Sequence, residues 1–247
     1  MEESPNKMSD IHLGIVCPMA NEKDTAVEFV NAVLEQCREF KQVSFFVIFD
    51  FACKDGTVDL LRELSKEKPE LKVVWSPEDK CAVDAYVRGY REAINARCDW
   101  ILEIDGGFSH NPKDMPTLFN KMIQNYDCVF GSRFCKGGTI VDAPLQRQIV
   151  SGWGTFLINL MLGTKLKDMT SGFELFTKSA LEAVLKNGIQ SKGDFFQTEI
   201  KVFCHRFRIA EVPIHYRSPS KSLNNKILKD AFKNLFRLFK LRLSGNM

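Results

Sequence analysis

Residues 103–115 read EIDGGFSHNPKDM. They continue an apolar run, 100-WILEI-104, that closes on Asp105 and gives way to Gly106 and Gly107. Ser109 and His110 follow, and Pro112 opens a helical pattern. A carboxylate at the end of a buried strand is costly unless it has a partner. In parallel α/β sheets, ligands bind at the carboxyl ends of strands. Asp105 therefore reads as one wall of a crevice with bare backbone beside it.

The same pattern repeats on both sides. Short apolar runs at 12–19 (HLGIVCPM), 43–50 (VSFFVIFD), 71–76 (LKVVWS) and 127–132 (DCVFGS) read as buried strands. Between them, residues 24–40, 57–69, 82–97 and 114–125 carry apolar positions at helical spacing. Strands separated by helices of this length predict an α/β fold of three layers with a mostly parallel central sheet. In the last third, 147–163 and 194–207 read as helices, 167–176 as a turn entering a strand, and 209–217 as one strand. Residues 226–243, KILKDAFKNLFRLFKLRL, form a basic amphipathic helix. The expected organisation is a disordered tail at 1–10, one domain at 11–225 and the basic helix at 226–247.

Bulk composition narrows the class. Hydrophobic residues are 45% and charged residues 26%, the balance of a soluble globular chain. A net charge of +3 gives no footprint for nucleic acid. The eight cysteines show no CxxC pair, so they read as reduced, mostly buried thiols of a cytosolic protein rather than a disulfide framework. The N-terminus is polar and acidic, unlike a signal peptide, and no apolar run reaches the roughly 18 residues of a membrane span.

Glu22, Asp50 and Asp105 all fall at strand ends or just after them. Carboxylates there can accept from base and ribose groups or hold a divalent ion against a diphosphate. Each could equally cap the helix that follows. Longer motifs favour the ligand. The chain carries 18-PMANE-22, 50-DFACKDGT-57, 103-EIDGGFSHNP-112, 131-GSR-133, 168-DMTSGF-173, 197-QTE-199 and 211-EVPI-214 in order. This series resembles family 2 glycosyltransferases of the GT-A fold, in particular the polyprenol-phosphate (dolichol-phosphate) mannose synthases, from about residue 11 to 243.

The resemblance implies roles for individual residues. Backbone near Pro18 and the Glu22 side chain hold the nucleoside. Asp50 contacts base or ribose, and Lys80 lies in a loop near the nucleotide. Asp105 lies against the diphosphate and its metal, with Ser109 a minor ligand. Gly106 and Gly107 let the diphosphate approach and receive backbone N–H groups. Arg133 and Arg147 suit anionic groups, with Lys80 and Lys221 as further cations. The implied cofactor is Mg2+ or Mn2+. The family pattern, however, has Asp where this chain has Gly107, and that Asp is its main metal ligand. Phe51 likewise stands where the pattern has its second Asp, and Glu174 where it has Arg. Glu103 shares a strand face with Asp105 and is a conceivable substitute carboxylate. His110 reads as structural.

The implied reaction transfers a hexose from a GDP- or UDP-sugar to a polyprenyl-phosphate-type acceptor, with inversion. A phosphate monoester is already anionic at neutral pH and needs no base. A saccharide hydroxyl acceptor would need one, and Asp168 or Glu199 is then the candidate. A third reading is a nucleotide-sugar binding or scaffold protein that lost transfer with its aspartates. The basic helix either lies on an anionic bilayer, making the protein peripheral on the cytosolic membrane face, or packs on the domain with its cations in water.

Overall fold

The structure is a computed structural model. It describes residues 7–142, 145–217 and 225–245, with 145–150 and 225–227 described as backbone alone. Along the chain come β1 (His12–Pro18), α1 (Ala26–Glu35), β2 (Gln42–Phe49), α2 (Thr57–Glu67), β3 (Leu71–Trp75), α3 (Ala82–Asn95), β4 (Trp100–Glu103), α4 (Met115–Met122), β5 (Cys128–Ser132), β6 (Thr139–Val141), α5 (Leu145–Leu162), β7 (Glu174–Thr177), α6 (Lys178–Lys186), α7 (Phe195–Phe203), β8 (Ile209–Pro213), β9 (His215–Arg217) and α8 (Asn225–Leu243). Of the expected tail, residues 1–6 lie outside the described residues, while Met8–Asp10 forms a 3-10 turn whose Met8 oxygen accepts from Ile11 N and Lys41 N.

Seven strands form one sheet in the order β3-β2-β1-β4-β7-β5-β8. Only β7 runs antiparallel to its neighbours, β4 and β5. Alternation along the strands explains the three layers. Leu13, Ile15 and Cys17 face one core with Phe45, Val47 and Phe49 and helices α1 and α4, whereas Val16, Phe46 and Ile48 face the other with α3, α6 and α7. Gly89 lets α3 lie directly on Val16, which a Cβ at that position would strike. The chain builds outward from β1 to β3 and then returns to place β4 on β1's other side, so the carboxyl ends of β1 and β4 border the crevice where such sheets bind ligands.

The strand expected at 209–217 is two. After Pro213 the chain leaves the main sheet, Ile214 bonds to Ser132 and Thr139, and β9 pairs with β6 in a small sheet. The β6 strand and the α6 helix were not legible as separate elements. The C-terminal helix packs on the domain along one face. Leu235 and Leu238 are buried against α5 and α7, while Phe232 and Phe236 remain more than half exposed. Two of its cations turn inward: Arg237 pairs with Glu199, and Arg242 donates to Met161 O at the end of α5 at 2.7 Å.

Beneath the crevice lies a buried charge cluster. Glu103 and Glu174 face each other across β4 and β7. Glu103 accepts from Tyr90 and Gln197, and Glu174 pairs with fully buried Lys201 at 2.5 Å. Burial, and then Glu174, push the Glu103 carboxyl well above its usual range. Burial raises Glu174 to about 7, with Lys201 pulling the other way. At Glu174 the folded chain thus binds more protons than the unfolded chain, so this group's contribution to stability falls as pH rises from 4.5 to about 7 and levels off above. Glu174→Gln mimics the protonated acid. It should lose less stability than wild type between about pH 5 and about pH 8, read as urea midpoints; an equal loss would refute the assignment.

Candidate active site

The crevice is built by three loops. The first, after β1, runs from Pro18 to Glu22. Asn21, at φ 56°, donates to Ala52 O and accepts from Lys54 N, both at 2.9 Å, strapping this loop to the one after β2. Asp55 completes the strap by accepting from Lys23 N and Thr57 N, each at 3.0 Å. Its bonds to Thr57 and the backbone hold its carboxyl down at about 2. Asn21 and Asp55 were not singled out from sequence, though both stand inside the quoted motifs. Asp50 ends β2 and accepts from Ala52 N at 2.8 Å, an Asx turn that presents the half-buried carboxylate at the rim. Phe51 beside it is 55% exposed.

The third loop follows β4. Asp105 is 35% exposed, with one oxygen accepting from Tyr86 OH on α3 and the other 3.6 Å from His110 Nδ1. His110 is buried, stacked on Phe173 at 5.0 Å, and its Nδ1 accepts from Asp105 N at 3.3 Å. Burial lowers its pKa, so the ring is neutral and braces the loop. It is structural, as the sequence suggested. Gly106 lies against Met19. Gly107 has φ +72°, the left-handed region, and Phe108 follows at φ 61°. Phe108 is anchored edge-on to Phe29 of α1 at 5.2 Å, which holds that conformation. A Cβ on Gly107 would lie 2.6 Å and 2.7 Å from the two carboxylate oxygens of Glu22. Glu22 therefore occupies the space that a side chain at 107 would enter. Its own carboxylate accepts from Thr25 Oγ1 at 2.9 Å, and its N–H donates to Thr57 Oγ1 at 3.0 Å.

Arg133 forms the far wall. Its Nε and Nη2 grip Asp168 in a two-point pair at 2.7 Å each, and Nη2 also reaches Thr170 at 2.6 Å and Ser151 of α5 at 3.2 Å. The guanidinium lies 5.4 Å over the Tyr216 ring, and Tyr216 is 5.2 Å from His110, so these two rings link the Asp105 loop to Arg133. Asp168 is fully buried and takes Thr170 N as well, at 3.1 Å. Arg133 outweighs the burial penalty and holds this carboxyl below its usual range.

The remaining expected residues fall elsewhere. Lys80 is exposed beside α3, in a groove it lines with Asp84, Arg88 and Lys192. Ser109 is buried next to the crevice, and its carbonyl accepts from Arg217 N at 2.9 Å. Arg147 sits in the first turns of α5 with its side chain outside the described residues, as is all of Lys221. Glu103 is sealed under the sheet by Tyr90 and Gln197, so it is no substitute ligand. Glu199 is also buried, taking Ser191 N at 2.9 Å and Arg237. Among the described residues no cluster of three or more His, Cys, Asp or Glu could hold a metal. Glu22 and Asp105 still offer the hard oxygens that Mg2+ or Mn2+ prefer, and such ions commonly use one or two carboxylates plus substrate phosphates.

Asp168 thus orients Arg133. Asp168→Asn leaves a buried cation underpaired and should cost about 3–5 kcal/mol of stability. Acceptor KM should rise while the shape of the pH–rate profile persists. A lost acid limb would instead make Asp168 a base.

Comparison with known proteins accords with this architecture. The glucosyl-3-phosphoglycerate synthase of Mycobacterium tuberculosis, in complex with Mn2+, UDP-glucose and phosphoglyceric acid, superposes with a TM-score of 0.66 at 13% identity, covering 93% of this chain and 80% of that one. At that identity the likeness speaks for the GT-A fold. The undecaprenyl-phosphate mannosyltransferase of Micrococcus luteus is 30% identical over 81% of this chain and 82% of its own. The polyprenol monophosphomannose synthase of Mycolicibacterium smegmatis is 27% identical over 82% and 76%. Residues 14–185 match the family described as glycosyl transferase family 2, and the chain belongs to that family.

Proposed function

We propose that this glycosyltransferase moves a hexose from a GDP- or UDP-sugar to a polyprenyl-phosphate-type lipid at the cytosolic face of a membrane, inverting the anomeric centre. One observation carries the acceptor. Helix α5 turns Ser151 and Thr155 inward, the first onto Arg133, and presents Trp153, Phe156, Leu157 and Leu160 outward, Trp153 at 68% and Leu160 at 67% exposure. A single helix thus joins the anion-binding wall to an apolar face. Helix α8 packs beside it and adds exposed Phe232 and Phe236 together with Lys229, Lys233 and Lys240. Exposed apolar patches rimmed by cations suit an anionic lipid surface. The two curated relatives act, by their names, on polyprenyl phosphates. No helix of the described residues is long and apolar enough to cross a membrane.

The chemistry follows from charge. The acceptor phosphate sits at Arg133 with its chain along α5. A phosphate oxygen attacks the anomeric carbon, forming the new C–O bond as the bond to the donor diphosphate breaks and the diphosphate leaves with the electron pair. No proton need move, because a phosphate monoester is mostly dianionic at neutral pH. This accords with the state of the two acids considered as bases: Asp168 is held by Arg133, and Glu199 by Arg237 and Ser191. Pro18, Glu22 and Asp50 border the nucleotide, and Gly106 and Gly107 let the diphosphate lie close to the backbone. Bound Mg2+ or Mn2+ would neutralise the leaving diphosphate, with Asp105 as a ligand.

The protein incubated with GDP-mannose or UDP-glucose and a polyprenyl phosphate in mixed micelles should yield a glycosylated lipid. Transfer only to soluble sugars would move the reading to a hydroxyl acceptor, and donor binding without turnover to a scaffold. On vesicles containing anionic lipid, the triple variant Trp153→Ser, Phe156→Ser, Leu160→Ser should float far less than wild type while keeping its melting midpoint. Equal flotation would remove the lipid surface from the proposal.

A further inference from the structure

We infer that Thr198 and Lys201 of α7 are positioning residues: they hold two carbonyls of the 168–172 turn and so set where Arg133 stands. The inference rests on the acceptor reading above, and it adds two buried residues that lie behind the acceptor wall.

The turn has no regular structure of its own. Between the end of α5 at Leu162 and the start of β7 at Glu174 the chain forms neither helix nor strand. Yet Asp168, Met169 and Ser171 are buried. Buried backbone groups outside a helix or sheet must find other partners. The N–H groups find theirs on the flanks. Glu211 of β8 accepts from Lys167 N at 2.8 Å and Asp168 N at 2.9 Å, and Thr155 of α5 from Met169 N at 3.3 Å. The carbonyls are met from α7. Thr198 Oγ1 donates to Met169 O at 2.9 Å, and Lys201 Nζ donates to Ser171 O. These two donors are three residues apart and so share one face of the helix.

Lys201 is fully buried, and its ammonium carries three N–H groups. It meets Ser171 O, Glu174 Oε1 at 2.5 Å and the ring of Phe130, 5.3 Å to its centre. These partners belong to the turn, to β7 and to β5, the strand that leads into Arg133. Burying an ammonium is costly, and an apolar pair often fills such a space equally well. What the cation adds is a tether on the turn. The side chains between the tethered carbonyls do the gripping. Asp168 takes Arg133 Nε and Nη2 at 2.7 Å each, and Thr170 takes Nη2 at 2.6 Å. The backbone held by α7 thus carries the hold on Arg133, and a displaced turn displaces the guanidinium with it. Misplacement of a binding group by an ångström is enough to slow a reaction strongly.

The test reads Arg133 directly. In the isotope-labelled full chain, its Nε–H resonance is assigned by its loss in Arg133→Lys, and its hydrogen exchange is timed. Two designs loosen the turn without leaving a lone buried charge. Thr198→Val removes the donor to Met169 O, and Thr198→Ser keeps it. Lys201→Met with Glu174→Gln removes the donor to Ser171 O together with its countercharge, a replacement that cores often tolerate. Thr198→Val and the double variant should each speed Arg133 Nε–H exchange by about fivefold or more, with Thr198→Ser within about twofold of wild type. Amide exchange along β1 and β2 should not change. With polyprenyl phosphate, both loosened proteins should show an acceptor KM about fivefold higher at unchanged donor KM. Exchange at the wild-type rate in both designs overturns the inference. Acceleration matched along β1 and β2 also overturns it, because it marks a general loss of stability. Faster exchange at Arg133 with an unmoved acceptor KM overturns it too, since the turn would then not serve the acceptor. If wild type glycosylates no polyprenyl phosphate, the acceptor reading falls by itself, and Arg133 exchange alone decides the tether.

Discussion

Asp105 stands at the mouth of a crevice underlain by the buried Glu103, Glu174 and Lys201, and the site depends on how its carboxylate is partnered. An anion at the end of a buried strand needs partners that do not cancel it. A cation placed there would cancel it. Tyr86 instead gives a neutral O–H from α3, and His110 is kept neutral by burial beside the aromatic ring of Phe173. Tyr86 donates to the carboxylate, His110 Nδ1 accepts from the Asp105 N–H, and neither brings a positive charge.

The opposite bookkeeping holds one layer down. Glu103 would add a second negative charge directly beneath Asp105, and burial with Glu174 opposite keeps it protonated. Lys201 matches the remaining carboxylate of Glu174. The acid that replaces the family's arginine at 174 is thus part of a closed internal pair and has no part in binding substrate. Arg133 is the cation that borders the crevice, and Asp168 positions it without exposing a carboxylate of its own. Among the described residues Asp105 has no Lys or Arg at ion-pair distance, whereas Arg133 is matched by Asp168.

Much of this was legible in the sequence. Continuous apolar runs at 12–19 and 43–50, with helical spacing between them, predicted a sheet covered on both faces, and the motifs placed Asp50 and Asp105 at strand ends. What the sequence concealed was partnership. Asp168 and Glu199 look like available acids until their cations are seen, and those lie 35 and 38 residues away. Residues 209–217 keep a continuous strand pattern because β8 and β9 both need alternation; only their pairing partners show the break at Ile214. The amphipathic pattern of 226–243 could not show that Arg237 and Arg242 serve as tethers, since spacing does not reveal which face meets the domain.

The departures from the family pattern are read differently once distances are known. Along the sequence, Gly107 is a missing ligand, and a missing ligand suggests lost activity. In space, the Glu22 carboxylate lies against Gly107 from a neighbouring loop that Asn21 and Asp55 strap down. Glycine at 107 leaves the left-handed turn free of a side chain, and the Glu22 carboxylate rests against it from the opposite loop.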